Sequence, residues 1–252
     1  MKSIRFGRFL SIALMLTSGF AAADEAQIAV AANFAAPAKQ LADKFAKATP
    51  HKILISVGST GKFYAQISNG APFDVFLSAD DETPLRMEKE KLAVVGSRFT
   101  YAIGKLVLWS PASGVVDGKG DVLRLATFKR LAIANPKLAP YGAAAQQAME
   151  KLGVWPTLQG RLVMGENIAQ TLQFVASGNV ELGFVALSQI QESGKVPTGS
   201  HWLVTQSLYD PIRQDAVLLA RGSSNAAARM FLEFLRSPAA QELVRSSGYD
   251  LP

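Results

Sequence analysis

Val30-Ala31-Ala32-Asn33-Phe34 and Val57-Gly58-Ser59-Thr60-Gly61-Lys62 decide the fold. Each closes a short apolar run of β-prone residues: Gln27-Ile28-Ala29-Val30-Ala31 before the first, Ile53-Leu54-Ile55-Ser56-Val57 before the second. Each is followed by apolar residues at helical spacing. Asn33 and Ser59/Thr60 therefore stand where a strand turns into a helix, the position of an N-cap. Free backbone N–H groups and the positive end of the helix dipole meet there, which suits an anion.

Outward from these two turns the chain alternates. Ala38, Leu41, Ala42, Phe45 and Ala46 predict a helix over 35–47, and a second is expected over 61–69. Phe73-Asp74-Val75-Phe76-Leu77 reads as a strand, and 83–91 as a charged helix with Pro84 in its first turn. This βαβαβα order implies a parallel sheet covered by helices. Residues 99–109 read as one long strand with Gly104 inside it, followed by a turn-rich stretch over 111–121. The alternation then resumes with strands over 131–134, 161–164 and 182–186 and helices over 142–152 and 169–176. Further strands are expected at 202–205 and 216–220. Two helices, 225–236 and 238–247, close the chain, divided at Ser237-Pro238.

The expected fold class is therefore α/β: two lobes, each a mostly parallel sheet flanked by helices, with a hinge between them. Lobe 1 comprises 24–102 plus 216–252, and lobe 2 comprises 103–215. The chain would cross out near 101–104 and return near 212–216, a clamp able to close on a ligand.

The first residues read differently. Lys2, Arg5 and Arg8 precede a short apolar stretch, Phe9 to Phe20, and Ala21-Ala22-Ala23 offers small residues for cleavage. That is the pattern of a secretory signal peptide over 1–23, and it places the mature protein in the periplasm. The chain of 252 residues has no cysteine, so disulfides, thiolate chemistry, Cys-bound metals and a lipid-modified cysteine are excluded. Net charge is +6 and falls to +3 without the three basic residues of the leader, an ordinary balance that gives no case for nucleic acid.

Two further turns repeat the strand-to-helix design: Pro140-Tyr141-Gly142 and Gly165-Glu166-Asn167-Ile168-Ala169. Any one of the four reads as plain capping when taken alone. Gly58-Ser59-Thr60-Gly61 is not a nucleotide P-loop, because Gly61-Lys62 is followed by Phe63 rather than Ser or Thr. Four such turns, two in each unit, carry more. In doubly wound sheets, ligands sit beyond the carboxyl ends of the strands, where these turns lie.

Absences narrow the chemistry. No Arg or His stands in these motifs, and Lys62 is expected to point away along its helix. His51 and His201 are the only histidines. No clustered ligands for a direct cation site and no nucleophile beside a base are visible, so neither a metal centre nor an enzyme is indicated. Asp80-Asp81-Glu82 heads a helix and is expected to cap it.

At these residues the chain resembles the periplasmic molybdate-binding proteins of ABC importers. The resemblance covers nearly all of the mature chain. It is carried by Ala31-Ala32-Asn33-Phe34, Gly58-Ser59-Thr60-Gly61, the run from Gly70 to Asp80, Ala139-Pro140-Tyr141-Gly142 and Leu182-Gly183-Phe184-Val185-Ala186. It implies a two-lobed binding protein that captures molybdate or tungstate through neutral donors, has no cofactor, acts as a monomer and delivers its cargo to an inner-membrane ABC permease. It implies backbone donors from Ala32, Asn33, Thr60, Tyr141 and Ile168, a hydroxyl from Thr60, and a side-chain contribution from Asn33. Ser59 and Asn167 join this candidate site as neighbours in the same turns. Some members carry a ligand tyrosine at the position of Ala186, and Asn33 and Tyr141 are expected to make up for its hydroxyl. Two alternatives stay open at this point: a binder of another ion such as sulfate, and a secreted enzyme on a two-lobed fold.

Overall fold

The computed structural model describes residues 23–191 and 198–252, so the leader assigned to 1–23 lies almost wholly outside the described residues. Among the described residues, ten strands form two five-stranded sheets. The chain runs through β1 (Glu25–Ala31), α1 (Ala35–Ala48), β2 (Lys52–Gly58), α2 (Thr60–Ser68), β3 (Val75–Leu77), α3 (Glu82–Lys89) and β4 (Phe99–Gly104). It then enters the second sheet through β5 (Leu106–Ser110), α4 (Val122–Leu125), β6 (Leu131–Ala134), α5 (Pro140–Lys151), α6 (Trp155–Leu158) and β7 (Leu162–Gly165). After α7 (Ile168–Ala176), β8 (Leu182–Ala186), α8 (Leu187–Ile190) and β9 (Ser200–Leu203), β10 (Ile212–Leu218) returns to the first sheet. Helices α9 (Ala226–Leu235) and α10 (Pro238–Ser246) close the chain.

The two sheets share one plan, β2-β1-β3-β10-β4 and β7-β6-β8-β5-β9. In the first, β1 pairs in parallel with β2 and β3, and β10 pairs antiparallel to β3 and β4. In the second, β6 pairs in parallel with β7 and β8, and β5 lies antiparallel to β8 and β9. Each sheet thus has a single reversed strand, and each reversed strand is one that carries the chain between sheets. A parallel sheet with helices on both faces buries its central strands on both sides. Accordingly, β5, β6 and β8 are buried at every residue.

One expectation is corrected. Residues 99–109 are not one strand but two, broken at Lys105, with Gly104 paired to Ile212 in the first sheet and Leu106 paired to Ala186 in the second. The run is β-prone on both sides of Gly104-Lys105, the one local mark of the break, and the pairing with different neighbours assigns each half to its own sheet. The return strand also begins four residues earlier than the apolar run over 216–220 suggests. Its start holds Gln214 and Asp215, polar residues that are nonetheless wholly buried.

Packing around each sheet follows from the same periodicities. One face of the first sheet meets Leu41 and Phe45 of α1, Phe231 and Leu235 of α9 and Val244 of α10, with Phe45 and Phe231 edge to face at 5.5 Å. The other meets Phe63 and Ile67 of α2 and Met87 of α3. Full burial of such side chains contributes about 1.5–3 kcal/mol each. In the second sheet, Leu106, Ile133 and Phe184 pack on Ala145, Ala148 and Met149 of α5. That core is continuous with Ala31, Ala32 and Ala79 of the first unit, so the two units meet over apolar surface beside the strand ends.

Candidate anion site

The carboxyl ends of β1, β2 and β7, together with the start of α5, converge on one cavity of about 210 Å³. Ala31, Ala32, Asn33, Gly58, Ser59, Thr60 and Ala79 line it from the first unit; Ala139, Pro140, Tyr141, Asn167 and Ile168 line it from the second. All seven residues anticipated from sequence are in this lining, and no charged side chain is. A larger cleft of about 930 Å³ adjoins it, sharing Thr60, Ala79, Ala139 and Pro140.

The local chemistry of each turn leaves donors facing inward. The first N–H groups of a helix have no intrahelical acceptor. Thr60 opens α2, whose N-cap Ser59 makes no side-chain cap bond. Tyr141 carries the first N–H of α5, because Pro140 has none and the N-cap Ala139 has no polar side chain. Ile168 opens α7; the N-cap Asn167 accepts through Oδ1 from the N–H groups of Ala169 and Gln170, both at 3.0 Å, and leaves that of Ile168 free. Among the described residues, the N–H groups of Thr60, Tyr141 and Ile168 have no acceptor.

The hydroxyls sharpen this picture. Ser59 is buried and its Oγ has no hydrogen-bond partner among the described residues. An orphaned buried hydroxyl carries a desolvation cost of about 1–3 kcal/mol, which a bound acceptor would relieve. Thr60 Oγ1 accepts from the Ala79 N–H at 3.1 Å, so its own proton is available to donate; Ser78 Oγ lies 3.4 Å away.

Two side-chain expectations are corrected. Asn33 does not turn its amide toward the cavity: Nδ2 donates to Gln214 Oε1 at 2.7 Å and to the Tyr249 hydroxyl at 3.0 Å. Its carbonyl accepts from Tyr249 at 2.7 Å and from Ser188 Oγ at 3.2 Å. The Tyr141 hydroxyl is likewise engaged outside the cavity lining, accepting from Gln214 Nε2 at 3.2 Å. Neither group stands in for a hydroxyl at Ala186, which is buried outside the cavity lining and donates its N–H to Gln189 Oε1 at 3.0 Å. Asn33 and Tyr141 thus offer the cavity backbone rather than side chain. Gln214, Tyr249, Tyr101 and Ser78 were not legible as site-supporting residues. Their one trace in the sequence is a polar pair, Gln214-Asp215, directly before an apolar run.

Electrostatically the site is neutral. Burial pushes the hydroxyls of Tyr101, Tyr141 and Tyr249 well above the ordinary tyrosine range, so they remain uncharged donors. Asp80, behind Ser78, has its carboxyl raised by burial against the opposing pull of hydrogen bonds from Thr83 and Ser78. It caps α3 as expected, accepting from the Thr83 N–H at 2.9 Å and from Thr83 Oγ1 at 3.0 Å. His51 is a structural residue whose Nδ1 accepts from the Asp24 N–H at 3.1 Å. No group of three or more potential metal ligands occurs among the described residues.

Beside the cavity the two units touch directly. The Gly61 N–H donates to the Leu138 carbonyl at 2.9 Å, and Lys62 Nζ pairs with Glu166 at 2.6 Å. Lys62 therefore avoids the cavity but reaches across its rim.

The bacterial extracellular solute-binding protein family model matches residues 26–250. The molybdate-binding protein ModA of Azotobacter vinelandii is 57% identical over 231 residues, covering 92% of both chains. Its counterpart from Rhodobacter capsulatus is 51% identical over 240 residues, covering 94% of each. The solved structure of an Azotobacter vinelandii periplasmic molybdate-binding protein superposes with a TM-score of 0.88 at 43% identity, over 90% of this chain and 99% of that one. With the paired sheets, the crossing strands and a neutral cavity between them, this chain belongs to the bacterial extracellular solute-binding proteins.

Proposed function

We propose that this protein is the periplasmic binding component of an ABC importer, that it captures molybdate between its lobes, and that it accepts tungstate in the same site. The observation that carries the reading is the cavity itself: four strand-to-helix turns, two from each unit, enclose a small space lined by no charged side chain. The family and the molybdate-binding relatives support the same conclusion.

Molybdate at neutral pH is a bare dianion that only accepts hydrogen bonds. A site made of donors matches it, whereas hydrogen phosphate brings a proton that calls for a buried acceptor. The proposed donors are the N–H groups of Ala32, Asn33, Thr60, Tyr141 and Ile168 and the hydroxyls of Ser59 and Thr60. Hydrogen bonds to a charged group contribute about 1.5–3 kcal/mol each, so this set supplies roughly 10–20 kcal/mol gross. Immobilisation and dehydration cost about 4–15 kcal/mol. The balance corresponds to affinity in the micromolar to nanomolar range.

Because the donors come from both units, only closure completes the ion's shell. That differential affinity is what shifts the protein toward the closed state. We assign the lobes as 24–104 with 212–252, and 105–211, following sheet membership, a few residues from the division read in the sequence. The closed monomer then presents both lobes to a membrane permease.

Calorimetry with molybdate, tungstate, sulfate and phosphate tests the assignment. Tight exothermic binding of the first two, with sulfate and phosphate far weaker, is expected; no heat with molybdate would refute it. Thr60→Ala should remain folded and bind about 10- to 100-fold more weakly, the loss of one charge-assisted hydrogen bond. Full affinity in that variant would remove the Thr60 hydroxyl from the site. Since the donors are amides and aliphatic hydroxyls, and burial keeps the supporting tyrosines uncharged, affinity should be flat between about pH 6 and 9. A sigmoidal dependence in that window would reveal a titrating ligand.

A further inference from the structure

We propose that Gln214 is a positioning residue that ties the anion-binding turns of both lobes to the hinge strand, so that its side chain sets the spacing of donors it never touches. The inference rests on the anion-binding reading above.

Gln214 lies in β10, the strand that brings the chain back from the second sheet, and its side chain is wholly buried. The pairing of β10 with β4 shifts register between Gln214 and Asp215. A bulge at such a point re-aims a side chain out of the regular alternation. Both polar atoms of the amide have partners. Oε1 accepts from Asn33 Nδ2 at 2.7 Å and from the Tyr101 hydroxyl at 3.2 Å; Nε2 donates to the Tyr141 hydroxyl at 3.2 Å.

The partners are what give the amide its role. Asn33 belongs to the first lobe's turn and Tyr141 to the second's, and each offers the cavity its backbone while its side chain runs to Gln214. One amide therefore holds a turn from each side. Space is kept for it at the crossing: a Cβ on Gly104 would fall 2.1 Å from the Tyr141 hydroxyl and 2.7 Å from Gln214 Nε2. The Asn33 carbonyl is held by Tyr249 and Ser188, which fixes the backbone directly after the donor N–H of the same residue. A ring of donors held at fixed spacing discriminates ions by size, because hydrogen bonds weaken when stretched. Buried side-chain networks of this kind act as units rather than as sums of pairs.

The test compares Gln214→Leu, Tyr141→Phe and the double variant with the wild-type protein. Molybdate affinity, sulfate affinity by competition and the melting temperature of the ligand-free protein are measured. Each single variant should lower the molybdate-to-sulfate affinity ratio tenfold or more, and the double should be no worse than the poorer single. The ratio is the readout that a general loss of stability would leave unmoved. If Gln214→Leu does not fold, Tyr141→Phe, which removes one hydroxyl and no backbone, carries the same test through the ratio alone. An unchanged ratio in the folded variants, or additive losses in the double, would overturn the inference. A wild-type protein that fails to bind molybdate would instead bring down the underlying reading and the inference with it.

Discussion

Ser59→Asp should weaken molybdate binding by at least about a thousandfold while the ligand-free protein melts within a few degrees of wild type. The two halves of this result have separate causes. Ser59 sits in the cavity wall with its hydroxyl unpartnered, so a carboxylate there replaces a donor with a negative charge facing a dianion. At about 4 Å and an effective dielectric near 20, two unit charges repel by about 4 kcal/mol, and the ion carries two charges. A thousandfold loss is about 4 kcal/mol and lies below that estimate. The fold is insulated because Ser59 is the N-cap of α2 and makes no cap bond. Asp is as good an N-cap as Ser and can accept from the helix's free N–H groups. Ser59→Ala provides the comparison: it removes only a donor and should cost about 1.5–3 kcal/mol of binding. A loss of less than about tenfold relative to wild type in Ser59→Asp would place the ion elsewhere.

Gly61→Val should reduce affinity at least about a hundredfold by a different route, obstruction of closure. Gly61 meets the other lobe backbone to backbone, its N–H donating to the Leu138 carbonyl at 2.9 Å. A Cβ built on it would lie 3.1 Å from Leu138 Cα and 3.2 Å from the Leu138 carbonyl oxygen. Alanine is tolerable with a shift of a few tenths of an ångström, but valine adds two methyls to a contact whose two nearest atoms are backbone, with Leu138 Cδ2 also only 3.3 Å away. The lobes would be held apart, and donors divided between them could not all reach one ion. Within α2 itself valine is a better helix residue than glycine, so the ligand-free melting temperature should not fall. The signature is thus lost binding with retained stability. Wild-type affinity in Gly61→Val would mean that this contact is not part of the ligand-bound state.

The same contrast separates Gly61 from its neighbour. Lys62 and Glu166 form an ion pair across the rim, but both side chains are substantially exposed. Exposed pairs contribute about 0–1 kcal/mol and are screened by salt. Lys62→Ala should therefore change affinity by less than about tenfold, and less again at high ionic strength.

How much of this was legible in the sequence depends on the range of the interaction that makes each feature. The four turns were legible because a strand ending and a helix beginning are local events, written in the apolar runs and in Asn33, Ser59, Pro140 and Asn167. Their convergence followed from the rule that parallel strands present their carboxyl ends to one edge. What a turn does with its side chain is not local. Asn33 and Tyr141 sit in the right turns, yet their polar ends are claimed by Gln214 and Tyr249, which lie 181 and 216 residues from Asn33 and 73 from Tyr141 in the case of Gln214. No spacing rule reaches that far. The break at Lys105 was marked locally only by Gly104-Lys105, residues that a single long strand could also hold, and its neighbours assign each half to a sheet. Ser59 and Thr60 illustrate the intermediate case. Adjacent hydroxyls at a helix start are interchangeable as text. The structure distinguishes them, because Ala79 donates to Thr60 Oγ1 while Ser59 Oγ is left orphaned.

Neutral donors gathered from both lobes around an unprotonated dianion are tested most directly by a crystal structure of the protein with molybdate, located by the anomalous scattering of molybdenum. The expected map has one strong peak in the cavity between Ser59, Thr60, Tyr141 and Ile168, with backbone N–H groups of both lobes about 2.7–3.2 Å from its oxygens and no lysine, arginine or bridging cation in contact. A peak outside that cavity, an ion held by one lobe alone, or a cationic side chain against the ion would contradict the account.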